Sequence, residues 1–445
     1  MTSRTHTTAA MASKSEQLFE RAKRVLPGGV SRNTVLRAPV PPYADFGRGC
    51  RVTDIEGVTR VDFSNNMAGL IHGHAYAPIV DAVSAQIARG SAFMMATEAE
   101  VLHAEHMCSR SDGFGRIRFV NSGTEAVMAC LKAARAFTGR PKIAKAEGAY
   151  HGGYDYAEVS QGSTPQTWGS IDHPNSVPLV HGAPPSAMQD VVVIPFNDPA
   201  RAVAILDKHR DDLACVMLDL MPHRVGMHPA DAPFVHAIRE WTERNKSLFV
   251  IDEVITFRTE VGGLQSRYGV RGDLTAMGKL IGGGFPVGAI AGRADVMEVM
   301  NPGAPKVLYP LSGTYSANPV TMTAGRVAME HFDARAVARI NALGERARAG
   351  VAQAIARTGV CACVAGGGSI LRVHMKPTVP QGYRDAFATP DETKRLALFL
   401  DHLFNEGFLL VGTGTAILST AMTESEVDDL VEAIETGFRR LAAGA

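Results

Sequence analysis

Two residues could carry chemistry in this chain of 445 residues: Asp252 and Lys279. Asp252 closes the apolar run Leu248–Ile251, and Lys279 follows small and apolar residues and precedes Gly282, Gly283 and Gly284. A lysine amine forms a Schiff base with a carbonyl cofactor, and a carboxylate pairs with that cofactor's protonated pyridine nitrogen. Taken singly, each has an ordinary explanation. Aspartates after apolar strands cap helices, and most lysines are solvated surface charges. The pair points to pyridoxal phosphate only if the chain also supplies a phosphate site and a residue to stack on the ring.

Both are present as candidates. Arg116–Asn121 reads as a strand running straight into Ser122, Gly123 and Thr124, and Ala126–Phe137 then reads as a strong helix. A small-residue turn at a helix N-terminus offers free N–H groups and the positive end of the helix dipole to a phosphate. The same residues also have capping-box spacing, Ser122 to Glu125. Tyr150, ahead of Gly152 and Gly153, offers an aromatic face with room for close backbone approach. A second hydroxyl- and glycine-rich turn, Leu311–Pro319, contains Thr314. Arg32 and Arg37 lie in a proline-rich segment, and arginine suits bidentate recognition of a substrate carboxylate. His72 and His74 lack a third ligand at suitable spacing, so no metal is expected.

The elements that must hold these residues alternate as strand and helix from about 116 to 295, which predicts an α/β fold built on a large, mostly parallel sheet with helices on both faces. The length predicts two domains. The expected division is a disordered tail at 1–14, a segment at 15–69 that joins the small domain, a large domain at 70–325, and a small α+β domain at 326–445. Val254 is placed two residues along the Asp252 strand. Lys+Arg and Asp+Glu are both 45, which excludes any global field for nucleic acid or an anionic membrane. Six cysteines show no zinc spacing and read as free thiols in a reducing cytosol, with Cys361 and Cys363 on one strand face. With no apolar stretch long enough for a membrane helix or signal peptide, a cytoplasmic protein is expected.

The stretches NSGTEAVMACLKAARAFTGRPKI, EGAYHGG, IDEVITFR, LTAMGKLIGGGFPVGAIAGR and SGTYSANPVTMTAG resemble, in order, the class III pyridoxal-phosphate aminotransferases of fold type I. The nearest subgroup is the glutamate-1-semialdehyde aminomutases and β-amino-acid transaminases. The resemblance implies a Schiff base at Lys279 and a pyridine-nitrogen contact from Asp252. It implies Val254 against the ring face opposite Tyr150, phosphate binding by Ser122, Gly123 and Thr124, and Thr314 contributed by the other subunit of a homodimer. The implied reaction moves an amino group from an amino acid (β-amino acids included) or amine to an α-keto acid; the alternative is the intramolecular aminomutase. Departures from the family pattern fall at Asp219-Leu220-Met221-Pro222, where relatives read Glu-Pro, and at GGVSRNTVLRA, where aminomutases read GGVNSPVRA. The second departure looks like β-amino-acid transaminases, in which an arginine here holds the substrate carboxylate. A nucleotide site is disfavoured, because Lys279 is followed by Leu280 rather than by the Ser or Thr of a phosphate-binding loop.

Overall fold

The structure, a computed structural model, describes residues 13–443. Most of the expected tail therefore lies outside the described residues, but Ser13 and Lys14 are not tail. Ser13 caps the helix Lys14–Ala22: its Oγ accepts from the Glu16 amide, and the Glu16 carboxylate accepts from the Ser13 amide.

The strands, in chain order, are β1 (Ala44–Arg48), β2 (Arg51–Asp54), β3 (Thr59–Asp62), β4 (Arg116–Val120), β5 (Lys142–Ala146), β6 (Gly169–Ser170), β7 (His173–Pro174), β8 (Val191–Ile194), β9 (Leu213–Leu218), β10 (Leu248–Asp252), β11 (Leu274–Gly278), β12 (Gly288–Gly292), β13 (Cys363–Gly367), β14 (Ile370–His374), β15 (Phe408–Leu409) and β16 (Thr415–Ile417). Seven of them form the main sheet in the order β4-β12-β11-β10-β9-β5-β8. The run from β8 to β11 is parallel, whereas β12 is antiparallel to both β11 and β4. The mostly parallel sheet is thus present, with one reversed strand.

Alternation within the strands explains why both faces are covered. Val191, Val193, Leu248 and Val250 pack with the helix Gly123–Thr138, while Val192, Ile194, Phe249 and Ile251 pack with Phe234, Ile238 and Trp241 of the helix Ala232–Arg244. Successive side chains leave a strand on opposite faces, so a run apolar at every position needs an apolar layer on each side.

The chain ends meet in a smaller sheet. Strands β1, β2 and β3 are joined by β15, which runs parallel to β3. A three-stranded sheet, β13-β14-β16, packs under the helices Ala334–Thr358 and Glu424–Ala442. Here the expected strand face at Cys361 fails: β13 begins at Cys363, and Cys361 is an exposed residue before it. All six cysteines are free thiols.

Candidate active site

Parallel strands leave their carboxyl ends level with one another, and in open α/β sheets ligands bind beyond those ends. In this sheet Ile251 pairs with Leu218 and Asp252 with Ala276. Register alone therefore sets Asp219 beside Asp252, with Lys279 three residues past Ala276. A cavity of about 560 Å³ opens there, walled by Asp219, Asp252 and Lys279 together with Ser122, Thr124 and Tyr150.

Lys279 leads the short turn after β11 with φ +52°, a left-handed conformation uncommon for a side chain with a Cβ. Such a conformation costs on the order of 1 kcal/mol and persists where the surroundings impose it. Burial lowers the Lys279 pKa below the ordinary ammonium range, against the opposing pull of Asp252 and Asp219. Among the described residues its Nζ has no hydrogen-bond or ion-pair partner, so the amine is free to react.

Asp252 is held from two sides. Its Oδ1 accepts from the Val254 amide at 3.0 Å, and its Oδ2 accepts from His151 Nδ1 at 2.7 Å. His151 is fully buried, and burial lowers its pKa in spite of the carboxylate. The second ring nitrogen of this neutral imidazole, Nε2, has no partner among the described residues. His151 sits between Tyr150 and the glycine pair and carries no motif of its own; only the fold brings it to Asp252. Asp219 differs from its neighbour. Burial and the charge of Asp252 raise its pKa well above the ordinary carboxyl range, and its Oδ1 accepts from the Met221 amide at 2.9 Å.

At the other wall, Ser122 caps the helix Gly123–Thr138, its Oγ accepting from the Glu125 amide at 3.1 Å. Capping leaves this turn able to accept an anion, because the hydroxyl still has a proton to donate and the Gly123 and Thr124 amides begin the helix. Gly288 makes this approach feasible: a Cβ there would lie 1.9 Å from the Ser122 carbonyl oxygen. Gly152, at φ +88°, brings the Tyr150 loop against Thr124, where a Cβ would come within 2.4 Å of Oγ1.

Val254 lines the cavity, but β10 ends at Asp252, so Val254 belongs to the following turn rather than to the strand. Of the two arginines, only Arg32 reaches the cavity, where Nη1 donates to Asn66 Oδ1 at 2.7 Å. Arg37 points elsewhere, ion-paired with Asp401 and stacked over Phe404 at 3.9 Å. Thr314 lies on an exposed turn and does not line this chain's cavity. Among the described residues there is no cluster able to hold a metal ion, and no helix is long and apolar enough to cross a membrane.

The residues present suit pyridoxal phosphate: an unpartnered amine for its carbonyl, a fixed carboxylate for its ring nitrogen, an aromatic ring and a helix N-terminus for its phosphate.

Comparison with known proteins agrees. Residues 37–437 match the family model described as aminotransferase class-III. The chain is 36% identical over 374 residues to a glutamate-1-semialdehyde 2,1-aminomutase of Methanothermobacter thermautotrophicus, covering 84% of this chain and 86% of that one. In structure it is similar to an omega-transaminase from Sphaerobacter thermophilus, with TM-score 0.95 and 43% identity over 98% of this chain and 99% of that one. A β-phenylalanine aminotransferase from Variovorax paradoxus matches with TM-score 0.85 and 32% identity, over 95% and 93% of the two chains. The chain belongs to the class-III aminotransferases, pyridoxal-phosphate-dependent enzymes of fold type I.

Proposed function

We propose that the protein transfers an amino group from an amino acid, with β-amino acids among its donors, or from an amine to an α-keto acid. One observation carries this reading: the unpartnered Lys279 amine and the fixed Asp252 carboxylate face one cavity that Arg32 also lines. When bound, pyridoxal phosphate supplies a sink for the electron pair left as the substrate C–H bond breaks. Asp252 holds positive charge at the ring nitrogen, and His151 keeps that carboxylate aimed. Burial favours the neutral form of Lys279, so Nζ can take the substrate proton and hand it on. Ser122, Gly123 and Thr124 hold the phosphate, while Tyr150 and Val254 flank the ring. Arg32 rather than Arg37 grips the substrate carboxylate, because Arg37 is already committed to Asp401.

A homodimer completes the site in this reading. The exposed turn carrying Thr314 and Tyr315 reaches the partner's phosphate, and the domain division falls near residues 70 and 325. The Sphaerobacter and Variovorax neighbours support the transaminase, and the GGVSRNTVLRA segment supports a β-amino-acid donor. The intramolecular aminomutase is the second reading, favoured by the Methanothermobacter relative's name.

Chromatography of products separates the two. Incubation of holoprotein with a β-amino acid is expected to yield a new amino acid only when an α-keto acid is added. Conversion of glutamate-1-semialdehyde to 5-aminolevulinate with no keto acid consumed would replace the transaminase by the aminomutase.

A further inference from the structure

The neighbouring strands β9 and β10 each deliver an acid at their ends, and only Asp252 has a use in the reading above. Cys215 and Met217 of β9, like Leu248 and Val250 of β10, face the helix Gly123–Thr138. With Leu218 paired to Ile251, the same alternation carries Asp219 and Asp252 to that face side by side, on strands about 5 Å apart. Both acids are buried, and both line the cavity. Two carboxylates so placed do not both ionise unless each has donors of its own.

Their donors are unequal. Asp252 takes the Val254 amide on one oxygen and His151 Nδ1–H on the other. Asp219 takes the Met221 amide on Oδ1, and among the described residues its Oδ2 has no partner. The other charged groups that face it are Glu253, next to Asp252, and Lys279, whose amine burial has shifted toward the neutral form. Asp219 therefore keeps its proton, and with Oδ1 occupied by the Met221 amide that proton sits on Oδ2. This oxygen is not sealed in the core, so an O–H donor opens onto the cavity.

The order of the sheet decides what that donor meets. Ser122 follows β4, Lys279 follows β11, Asp252 closes β10 and Asp219 follows β9, and the strands run β4-β12-β11-β10-β9 across the sheet. The candidate phosphate turn thus lies at one end of the row and Asp219 at the other. In pyridoxal phosphate the carbonyl stands opposite the ring nitrogen, with the phosphate arm on one neighbouring carbon and a hydroxyl on the other. Lys279, Asp252 and the Ser122 turn together leave the hydroxyl edge of that ring to the β9 side.

We propose that Asp219 is a further cofactor-binding residue, whose Oδ2–H donates to the ring hydroxyl oxygen of pyridoxal phosphate and favours the anionic form of that oxygen. The proposal rests on the aminotransferase reading and adds a contact at the ring edge. A neutral acid suits this place, because an ionised carboxylate would repel the same oxygen.

The visible absorption of the pyridoxal-phosphate-loaded protein, titrated with pH, reads this contact without turnover. Asp219→Leu has no donor, and its midpoint is expected to rise by about one pH unit, the tenfold effect of one charge-assisted hydrogen bond. Asp219→Asn is expected to stay within about 0.3 unit of wild type, because its amide donates while its oxygen still accepts from the Met221 amide. The midpoint belongs to folded, loaded molecules, so partial misfolding does not move it. An unchanged midpoint in Asp219→Leu would overturn the proposal, and so would a fall in both variants, the sign of an ionised Asp219. Should Asp219→Leu fail to fold, infrared spectroscopy of the wild type decides. The carbonyl band of its protonated acid, absent from Asp219→Asn, is expected to move to lower frequency with pyridoxal phosphate and not with the 3-deoxy analogue. A band unmoved by either would overturn the contact. Failure of the wider reading looks different: the wild type would show no visible band with pyridoxal phosphate, which removes this proposal with it.

Discussion

Lys145 within the main sheet and Lys279 just beyond it are both lysines whose amines burial has shifted downward, yet only one has its donors unspent and a cavity in front of it. Lys145 lies inside β5, fully buried, with its pKa pulled down to about 7. Its Nζ donates to the carbonyls of Ala149 at 3.0 Å and Val159 at 2.8 Å, with Ala146 at 3.4 Å. Lys279 stands just past β11, has no partner among the described residues, and faces a cavity shared with Asp252. A depressed amine pKa is therefore no mark of a reactive lysine. The mark is an amine with its donors unspent and space in front of it.

Substitution should divide the two lysines cleanly. Lys279→Ala is expected to lower kcat/KM by roughly 10⁴-fold or more, with the fold intact by circular dichroism. Lys145→Met should do the reverse: denaturant unfolding is expected to show a loss of about 2–4 kcal/mol, since the Ala149 and Val159 carbonyls lose their donor. Its activity per folded molecule should stay near wild type. If Lys145→Met abolished turnover while remaining fully folded, the contrast would collapse.

The arginines repeat the lesson at smaller scale. Arg32→Gln is expected to raise KM for a carboxylate-bearing donor by roughly ten- to a hundredfold, as loss of a charged hydrogen bond predicts. Arg37→Gln should leave KM alone and cost up to about 1 kcal/mol in unfolding, the scale of a partly exposed ion pair. Equal KM effects from the two would contradict the assignment.

The smallest effect belongs to Asp219, whose field reaches Lys279 after that of Asp252. Its pKa is raised in the folded state, so the native protein holds a proton that the unfolded chain releases. Stability contributed by this group therefore falls as pH rises above the unfolded carboxyl value near about 4. Asp219→Asn keeps the acceptor for the Met221 amide and removes the ionisation. Its melting temperature is expected to exceed wild type by a margin that grows with pH from about 4 upward and vanishes below it. A gain independent of pH would show that Asp219 is ionised in the fold.

How much of this was readable beforehand follows from range. Asp252, Lys279 and the Ser122 turn declared themselves because each lies at a strand end marked by local pattern. So did the main sheet, whose strands are continuous apolar runs. The small-domain pairing of β3 with β15 joins residues more than three hundred positions apart, and no local signal carries it. Arg32 and Arg37 looked alike for the same reason: Asp401 and Phe404, which claim Arg37, come from the far end of the chain. His151 is not legible in the sequence because its importance is a contact with Asp252 rather than a motif. Val254 reads from sequence as a strand residue although β10 ends two residues before it, since nothing in the sequence IDEV says that the strand stops at the acid.

The central claim is that Lys279 is the residue bonded to the cofactor, and one measurement addresses it directly. Holoprotein would be reduced with borohydride, digested, and its pyridoxyl-modified peptide located by mass spectrometry. The account predicts a single modified site at Lys279. Modification at Lys145 or any other lysine, with Lys279 unmodified, would contradict it.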